Sequence, residues 1–238
     1  MRLTEAHTMR FIAENTTIPV PKVYAAFEHN DQVYIVMERT KGKPVSHGWL
    51  QRSAASKTEI LSQLKTMVDQ LRAIPAPAPP PESRGGPGRV CDILGGPISD
   101  DCLPDTHLWG PFASIDAFHR ALRSADETDP LYDAGTARVP WISEMMAFQR
   151  AEWPEPVLTH GRLAARAVRV RGDEVVALLD WESAGWMPPY WEYTSAWHAN
   201  PTDRVWREEV GRFVTPWPDA LAMEIVRRGY FGGVYERF

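Results

Sequence analysis

Apolar and polar positions alternate along this chain with two different periods, which predict helices and short strands. A helical period runs over residues 3–14 and 57–74. The second stretch is the clearer amphipathic helix, with an apolar face formed by Ile60, Leu64, Met67, Val68 and Leu71. Further helices are expected over residues 114–124, with Ser114 as N-cap, and over 140–152, 190–198, 203–214 and 218–229.

Stretches rich in Val, Ile, Tyr and Phe predict two β-hairpins. The first joins strands over residues 22–28 and 32–39, and the second joins residues 168–170 to 175–179. The second turn contains Arg171-Gly172-Asp173, a triplet that is also an adhesion motif. Because Gly and Asp are common turn residues, a structural turn is the favoured interpretation.

Residues 75–110 have a different character, since prolines and glycines dominate them. Connections of this length are often functional lids or binding loops, and a meandering surface loop is the alternative. Both cysteines, Cys91 and Cys102, lie in this region. They allow one disulfide, but two free thiols in a cytosolic chain are favoured.

Composition excludes several classes of function. The 238 residues suit one large domain, or a small lobe on a larger one. A net charge of −5 without a long basic run argues against nucleic acid as a partner. The chain has no apolar stretch long enough to span a bilayer, and its first residues lack the apolar core of a secretory signal. We therefore expect a cytoplasmic protein without a membrane partner.

Two segments bring reactive residue types together. Residues 158–167 read Leu-Thr-His-Gly-Arg-Leu-Ala-Ala-Arg-Ala, and residues 178–182 read Leu-Leu-Asp-Trp-Glu. They resemble the catalytic segment of the aminoglycoside phosphotransferase and choline-kinase-like family, His-Gly-Asp-Leu-x-x-x-Asn followed by Ile-Asp-Trp/Phe-Glu. Arg162 stands at the position of that family's catalytic aspartate, and Ala167 at that of its metal-binding asparagine. The residues that match are His160, Gly161, Leu163 and Asp180.

The resemblance covers nearly the whole chain. The other segments that carry it are Ile18-Pro19-Val20-Pro21-Lys22-Val23-Tyr24, which is similar to fungal members, Tyr34-Ile35-Val36-Met37-Glu38 with Lys41-Gly42, Gly110-Pro111-Phe112 with Phe118-His119, Asp180 to Trp186, and Tyr190-Trp191-Glu192-Tyr193. The resemblance implies an α+β, protein-kinase-like fold. Its truncated N-terminal lobe and hinge would occupy residues 1–40, and its mainly helical C-terminal lobe residues 41–238.

The resemblance also argues against the family's chemistry. Phosphoryl transfer by a kinase-like fold needs a glycine-rich loop, a lysine, two metal ligands and an aspartate near the attacking hydroxyl. The chain contains no Gly-x-Gly-x-x-Gly and starts at the helix after the lysine strand, where Glu5 would lack its lysine partner. Of the required residues only Asp180 remains, and an arginine at position 162 cannot accept a proton. Kinase activity, and any cofactor, is therefore not expected.

The leading hypothesis is a cleft reused by a cofactor-free enzyme of small-molecule metabolism, plausibly in fungal natural-product biosynthesis. The catalytic residues would be His160, Arg162 and Asp180, through acid–base chemistry and oxyanion stabilisation. Cyclisation, isomerisation, dehydration and conjugate addition all fit such a set. The residues expected to bind a small organic substrate are Glu182, Trp181, Trp186, Tyr190, Trp109 and Phe112.

Two alternatives remain open at this stage, namely a non-catalytic, pseudokinase-like binding protein and a truncated gene product. If these residues are structural rather than catalytic, His160 braces the backbone near Asp180, and Arg162 forms an ion pair with that aspartate. His119 and His198 are isolated histidines on helical faces and are expected to be structural. No His/Cys cluster has metal-ligand spacing. A homodimer is expected to cover the exposed edge of the strand at residues 22–28, and capping of that edge by the chain termini is the alternative.

Overall fold

The computed structural model of the protein describes residues 2–76, 88–100, 103, 108–123, 140–200 and 202–231. Within these ranges the helices are α1 (Leu3–Asn15), α2 (Ala54–Ala73), α3 (Ile115–Leu122), α4 (Pro140–Gln149), α5 (Trp191–His198), α6 (Arg204–Phe213) and α7 (Pro218–Phe231). The strands are β1 (Val23–His29), β2 (Gln32–Met37), β3 (Lys43–Pro44), β4 (Cys91–Asp92), β5 (Val157–Thr159), β6 (Val168–Arg171), β7 (Glu174–Leu178) and β8 (Gly185–Met187). Short 3₁₀ turns occupy Trp49–Gln51 and Trp181–Ser183.

Side-chain caps fix where two of the predicted helices begin. The Ser114 hydroxyl accepts a hydrogen bond from the Ala117 N–H, so α3 begins where the sequence predicts. Helix α2 begins three residues before the predicted start because Ser53 caps it by accepting from the Ser56 N–H. The apolar face of α2 is buried as predicted, except that Met67 is only partly buried.

The strands form three small antiparallel sheets, with orders β1-β2, β3-β6-β7 and β4-β8-β5. Both predicted hairpins are present. The Asp173 carboxylate accepts hydrogen bonds from Arg52 and the Ser56 hydroxyl, at 3.0 and 2.6 Å. The Arg-Gly-Asp turn therefore ties the β6–β7 hairpin to the start of α2, in agreement with the structural interpretation.

Part of the predicted long connection at residues 75–110 pairs with the strand that follows the segment at residues 178–182. Strand β4 pairs with β8, which follows the 3₁₀ turn at Trp181–Ser183. Isolated bridges join Val90 to Phe112 and Ile98 to Trp109. Cys91 is a buried free thiol, and burial raises its pKa to about 11. Cys102 lies outside the described residues, as does most of the proline-rich stretch.

Two apolar clusters form the core. The first joins α1 and α2 to the β6–β7 hairpin and includes Trp181 and Trp186. The second joins α3, α4 and α7 and includes Tyr190 and Trp191. No helix in the part of the chain that the structure describes is long and apolar enough to cross a membrane. A lobe boundary at residue 40 stays a prediction.

Candidate functional site

The loop between β5 and β6 holds His160 in a closed hydrogen-bond arrangement. The imidazole is fully buried, and its ring centroid lies 4.4 Å from that of Trp181. Nδ1 accepts the N–H of Arg162 at 3.1 Å, and Nε2 donates to the Leu179 carbonyl at 2.9 Å. Burial lowers the pKa of His160 to about 4. A neutral His160 therefore braces the reactive loop against the strand that leads to Asp180.

A buried carboxylate holds the start of the same loop. Glu192, in the first turn of α5, accepts hydrogen bonds from the backbone N–H groups of His160 and Gly161 at 2.6 and 3.3 Å. Burial raises the pKa of Glu192, while the nearby Arg72 guanidinium opposes that shift. The sequence-based site did not include Glu192. In the sequence, Glu192 stood out only as a member of the Tyr190-Trp191-Glu192-Tyr193 segment that resembles the family.

Further side chains hold the remainder of the loop from behind. Asn200 accepts the N–H of Ala165 at 3.0 Å, and the Trp206 indole donates to the Leu163 carbonyl at 3.4 Å. Gly161 has φ +80°, and a Cβ there would lie 2.4 Å from the Ser183 carbonyl oxygen. Only glycine fits this close approach. The loop backbone is therefore fixed by buried groups.

The positions that distinguish this chain from the resemblance lie around Asp180. Ala167 is fully buried, and its carbonyl accepts the Leu179 N–H at 3.0 Å. The Arg166 guanidinium Nε lies 3.4 Å from Oδ2 of Asp180, and both side chains are about half exposed. Arg162 is partly exposed and lowers the pKa of His160 electrostatically. The predicted ion pair between Arg162 and Asp180 is therefore wrong, because the path of the loop places Arg166 beside that carboxylate instead.

Helix α1 contacts the turn after β7, and the charges of Asp180 and Glu182 in that turn act on Glu5 of the helix. Asp180 has a left-handed backbone, with φ 63° and ψ 47°, and the 3₁₀ turn follows it, so that Asp180 and Glu182 do not continue a strand. Burial, followed by the charges of Glu182 and Asp180, raises the pKa of Glu5 to about 7. The Trp181 backbone N–H counteracts part of that shift. Glu5 is therefore a carboxyl group that exchanges its proton near neutral pH.

The predicted substrate-binding aromatics do not lie together. Trp181, Trp186 and Tyr190 are buried, and they divide between the two core clusters. Trp109 and Phe112 are partly buried against the second cluster, with ring centroids 6.2 Å apart. A substrate-binding role for these side chains, and for Glu182, stays a prediction.

The isolated histidines lie in the core, as the structural interpretation expects. His119 contacts the Gln149 carbonyl through Nδ1 at 3.0 Å and the Tyr190 hydroxyl through Nε2 at 2.7 Å. Burial lowers the pKa of His119 to about 4 and that of His198 to about 3. Both rings are therefore neutral at pH 7.

The described residues contain no group of three or more His, Cys, Asp or Glu side chains that could hold a metal ion. A pocket of about 180 Å³ lies between the hinge-like segment after β2 and the β6–β7 hairpin. Its lining residues are Val20, Pro21, Glu38, Thr40, Lys41, Arg171, Val176 and Ala177. None of the predicted site residues lines it.

Solved structures of aminoglycoside phosphotransferases share this fold. A thermostable mutant of APH(4)-Ia in a ternary complex with ADP and hygromycin B is 15% identical, with a TM-score of 0.57 over 94% of this chain and 73% of that chain. ADP-bound APH(2'')-Ib is 12% identical, with a TM-score of 0.56 over 95% and 70%. Aminoglycoside-3'-phosphotransferase of type VIII is 18% identical, with a TM-score of 0.50 over 94% and 78%.

Among curated proteins, none matches the chain. The structural likeness confirms the predicted α+β, protein-kinase-like fold. The sequence model of the phosphotransferase enzyme family matches residues 2–224, which is nearly the whole chain. The chain therefore belongs to the phosphotransferase enzyme family.

Proposed function

We propose that this family member does not transfer phosphoryl groups and instead carries out cofactor-free acid–base chemistry on a small organic molecule. The observation that carries the proposal is the charge arrangement around Asp180. Arg166 lies 3.4 Å from the Asp180 carboxylate, and Arg162 replaces the family's catalytic aspartate. Two cationic side chains thus stand where the resemblance places a proton acceptor and a metal site.

The donor set does not fit the magnesium ion that the family's reaction uses. Mg²⁺ takes oxygen ligands, and Ala167 offers only its carbonyl, which the Leu179 N–H already engages. The Arg166 guanidinium, next to the Asp180 carboxylate, would repel a divalent cation. The groups around Asp180 therefore do not fit a magnesium-dependent transfer of a nucleotide phosphate.

Glu5 supplies the proton carrier that the proposal needs. A group with a pKa of about 7 is suited to both taking up and releasing a proton at neutral pH. Ionised Glu5 would remove a proton from a carbon next to a substrate carbonyl. Arg162 and Arg166 would stabilise the enolate oxygen. Return of the proton from Glu5 to another atom completes an isomerisation, or a cyclisation if the enolate first attacks within the molecule.

This assignment moves the acid–base role from His160 to Glu5. Both ring nitrogens of His160 already bond to the backbone, at 2.9 and 3.1 Å, and the ring is fully buried. Asp180 keeps a supporting role, because its charge adds to burial and to the charge of Glu182 in raising the pKa of Glu5. We further propose the cytoplasm as the location and fungal natural-product biosynthesis as the metabolic setting.

A non-catalytic small-molecule binding protein is the second candidate. The observation that favours it is the burial of His160, whose two ring nitrogens both bond to the backbone and so are occupied. Arginines and a protonated carboxyl group would then serve only to hold a polar ligand.

Thermal-shift measurements and turnover assays separate these candidates. We expect ATP and GTP with magnesium to leave the melting temperature unchanged, since a ligand raises it only by binding the native state. A nucleotide-dependent rise, or transfer of the γ-phosphate to any acceptor, would refute the proposal. Small molecules that raise the melting temperature are then incubated with wild type, Glu5→Gln and the control Glu14→Gln. Turnover that only Glu5→Gln abolishes supports the enzyme, and binding without turnover in all three supports the binding protein.

A further inference from the structure

The β1–β2 hairpin presents an exposed apolar face. Phe27, Tyr34 and Val36 are 48%, 41% and 49% exposed, and the first two stack with ring centroids 5.4 Å apart. The opposite face, with Val23 and Ile35, packs against the first core cluster. Within the described residues, this sheet contains two strands only. Exposed apolar patches next to unpaired strand edges are typical sites of association.

The outer edge of β2 is regular, and no strand among the described residues pairs with it. Glu38 donates its N–H across the hairpin to the Lys22 carbonyl at 2.8 Å. In an antiparallel strand the N–H and C=O of one residue point to the same side, and those of the next residue point to the other side. Since Glu38 faces β1, the N–H and C=O groups of Val33, Ile35 and Met37 point away from β1. The outer edge of β1 is less suitable, since a bulge at Tyr24 interrupts its register.

We propose that a second copy of this chain pairs antiparallel with the outer edge of β2, around a two-fold axis at Ile35. The two copies then share one four-stranded sheet. Directly opposite residues of antiparallel strands lie on the same face. This register therefore places Tyr34 opposite Val36 of the second copy and joins the two exposed apolar faces. The proposal is independent of the chemistry assigned to Glu5.

Charge favours this register over the neighbouring one with its axis at Tyr34. An axis at Ile35 places Asp31 opposite Arg39 of the second copy, and two-fold symmetry makes this contact twice. An axis at Tyr34 would place Arg39 opposite His29 and leave Asp31 opposite Met37. Asp31 and Arg39 are both exposed in the chain. The surface is thus complementary to itself, as an isologous interface requires.

The first test measures the dimer dissociation constant by sedimentation equilibrium at low and high salt. Arg39→Glu would place like charges together twice and weaken the dimer about tenfold, whereas Arg204→Glu on α6 would leave it unchanged. Asp31→Asn would weaken the wild-type dimer several-fold but strengthen the Arg39→Glu dimer, because it removes the repulsion. Asparagine tolerates the positive φ at this turn. Absence of this reversal would contradict the register.

The second test locates the axis by disulfide formation in a Cys102→Ser background, with the buried Cys91 retained. Tyr34 and Val36 of different copies would lie within disulfide range in this register. Mixing Tyr34→Cys protein with Val36→Cys protein should give a linked dimer under mild oxidation, and neither alone should. Linkage of Tyr34→Cys alone would overturn the axis at Ile35. Wild-type protein that stays monomeric at about 100 μM, against the micromolar binding expected of a modest interface, would overturn the proposal.

Discussion

The two sides of the loop from His160 to Ala167 differ in their burial and in their bonding. On its buried side, Glu192 and Asn200 occupy the backbone N–H groups of the loop through hydrogen bonds of 2.6 to 3.3 Å. On its exposed side, Arg162 and Arg166 occupy positions that are partly or half exposed. The difference teaches that one loop can have a backbone fixed by buried hydrogen-bond partners and, on its other side, charged side chains that solvent reaches.

Energetics explain why the two sides differ. An unsatisfied buried donor costs about 1–3 kcal/mol, and a buried charge without its partner costs more. Substitutions at half-exposed positions usually change stability by less than about 0.5 kcal/mol. The requirements of folding therefore constrain Glu192 and Asn200 on the buried side of the loop, whereas only function constrains Arg162 and Arg166 on its exposed side.

The largest expected effect is that of Glu192→Ala. It would leave the N–H groups of His160 and Gly161 without their acceptor and remove the charge beside Arg72. We expect the free energy of unfolding to fall by about 3–5 kcal/mol, measured by urea denaturation. Glu192→Gln, which retains one acceptor oxygen, should lose less. The exposed control Glu14→Ala should lose almost nothing, and an equal loss in both would contradict the buried support.

The buried histidines predict a stability loss in acid. Burial lowers the folded-state pKa of His160 and His119 to about 4 and that of His198 to about 3. The unfolded chain then binds more protons below pH 6.5, so stability is lost as the pH falls from 6.5 towards 4. Each histidine contributes about 2–3 kcal/mol to this loss.

Replacement of one buried histidine should make that pH dependence shallower. His160→Gln is expected to remove about a third of the slope whatever it does to stability at pH 7, and the exposed His7→Gln should leave the slope unchanged. Urea denaturation between pH 4 and 7 measures both. An unaltered slope in His160→Gln would show that its ring is not held neutral.

Glu5 should show the opposite sign. Its folded-state pKa of about 7 is above its ordinary value, so the folded chain binds more protons between pH 4.5 and 7, and stability falls as the pH rises. Glu5→Gln removes this loss. After allowance for solvent screening of a partly exposed group, we expect a gain of about 1 kcal/mol at pH 8 and little change at pH 4.5. A gain of the same size in the control Glu14→Gln would contradict the assignment.

Local patterns were sufficient to predict the described helices and both hairpins, but not the two- and three-residue strands β3, β4, β5 and β8, whose pairing joins distant segments. The helices, both hairpins and the Ser114 cap follow from apolar periodicity and short-range hydrogen bonding, and the fold class follows from the resemblance. The start of α2 was placed too late, because the prediction followed the apolar stripe and overlooked Ser53 as a cap.

The site features that could not be predicted from the sequence depend on contacts between residues far apart in the chain. Glu192 and His160 are 32 residues apart, and no local signal marks a buried carboxylate that binds a distant backbone. The raised pKa of Glu5 depends on the turn at Asp180, more than 170 residues away in the chain. The ion pair of Asp180 was predicted for Arg162, and its formation with Arg166 depends on the path of the loop. The burial of Trp181 and Tyr190 likewise depends on tertiary packing.

The smallest expected effect is that of Arg166→Ala, which tests the exposed side of the loop. Its ion pair with Asp180 joins two half-exposed side chains at 3.4 Å, and such pairs contribute about 0–1 kcal/mol. We expect a loss below about 0.5 kcal/mol in urea denaturation that disappears at high salt, because salt screens exposed charges. The exposed Arg204→Ala provides the matched control. A salt-independent loss approaching that of Glu192→Ala would mean that Arg166 supports the fold, and the contrast between the two sides of the loop would then fail.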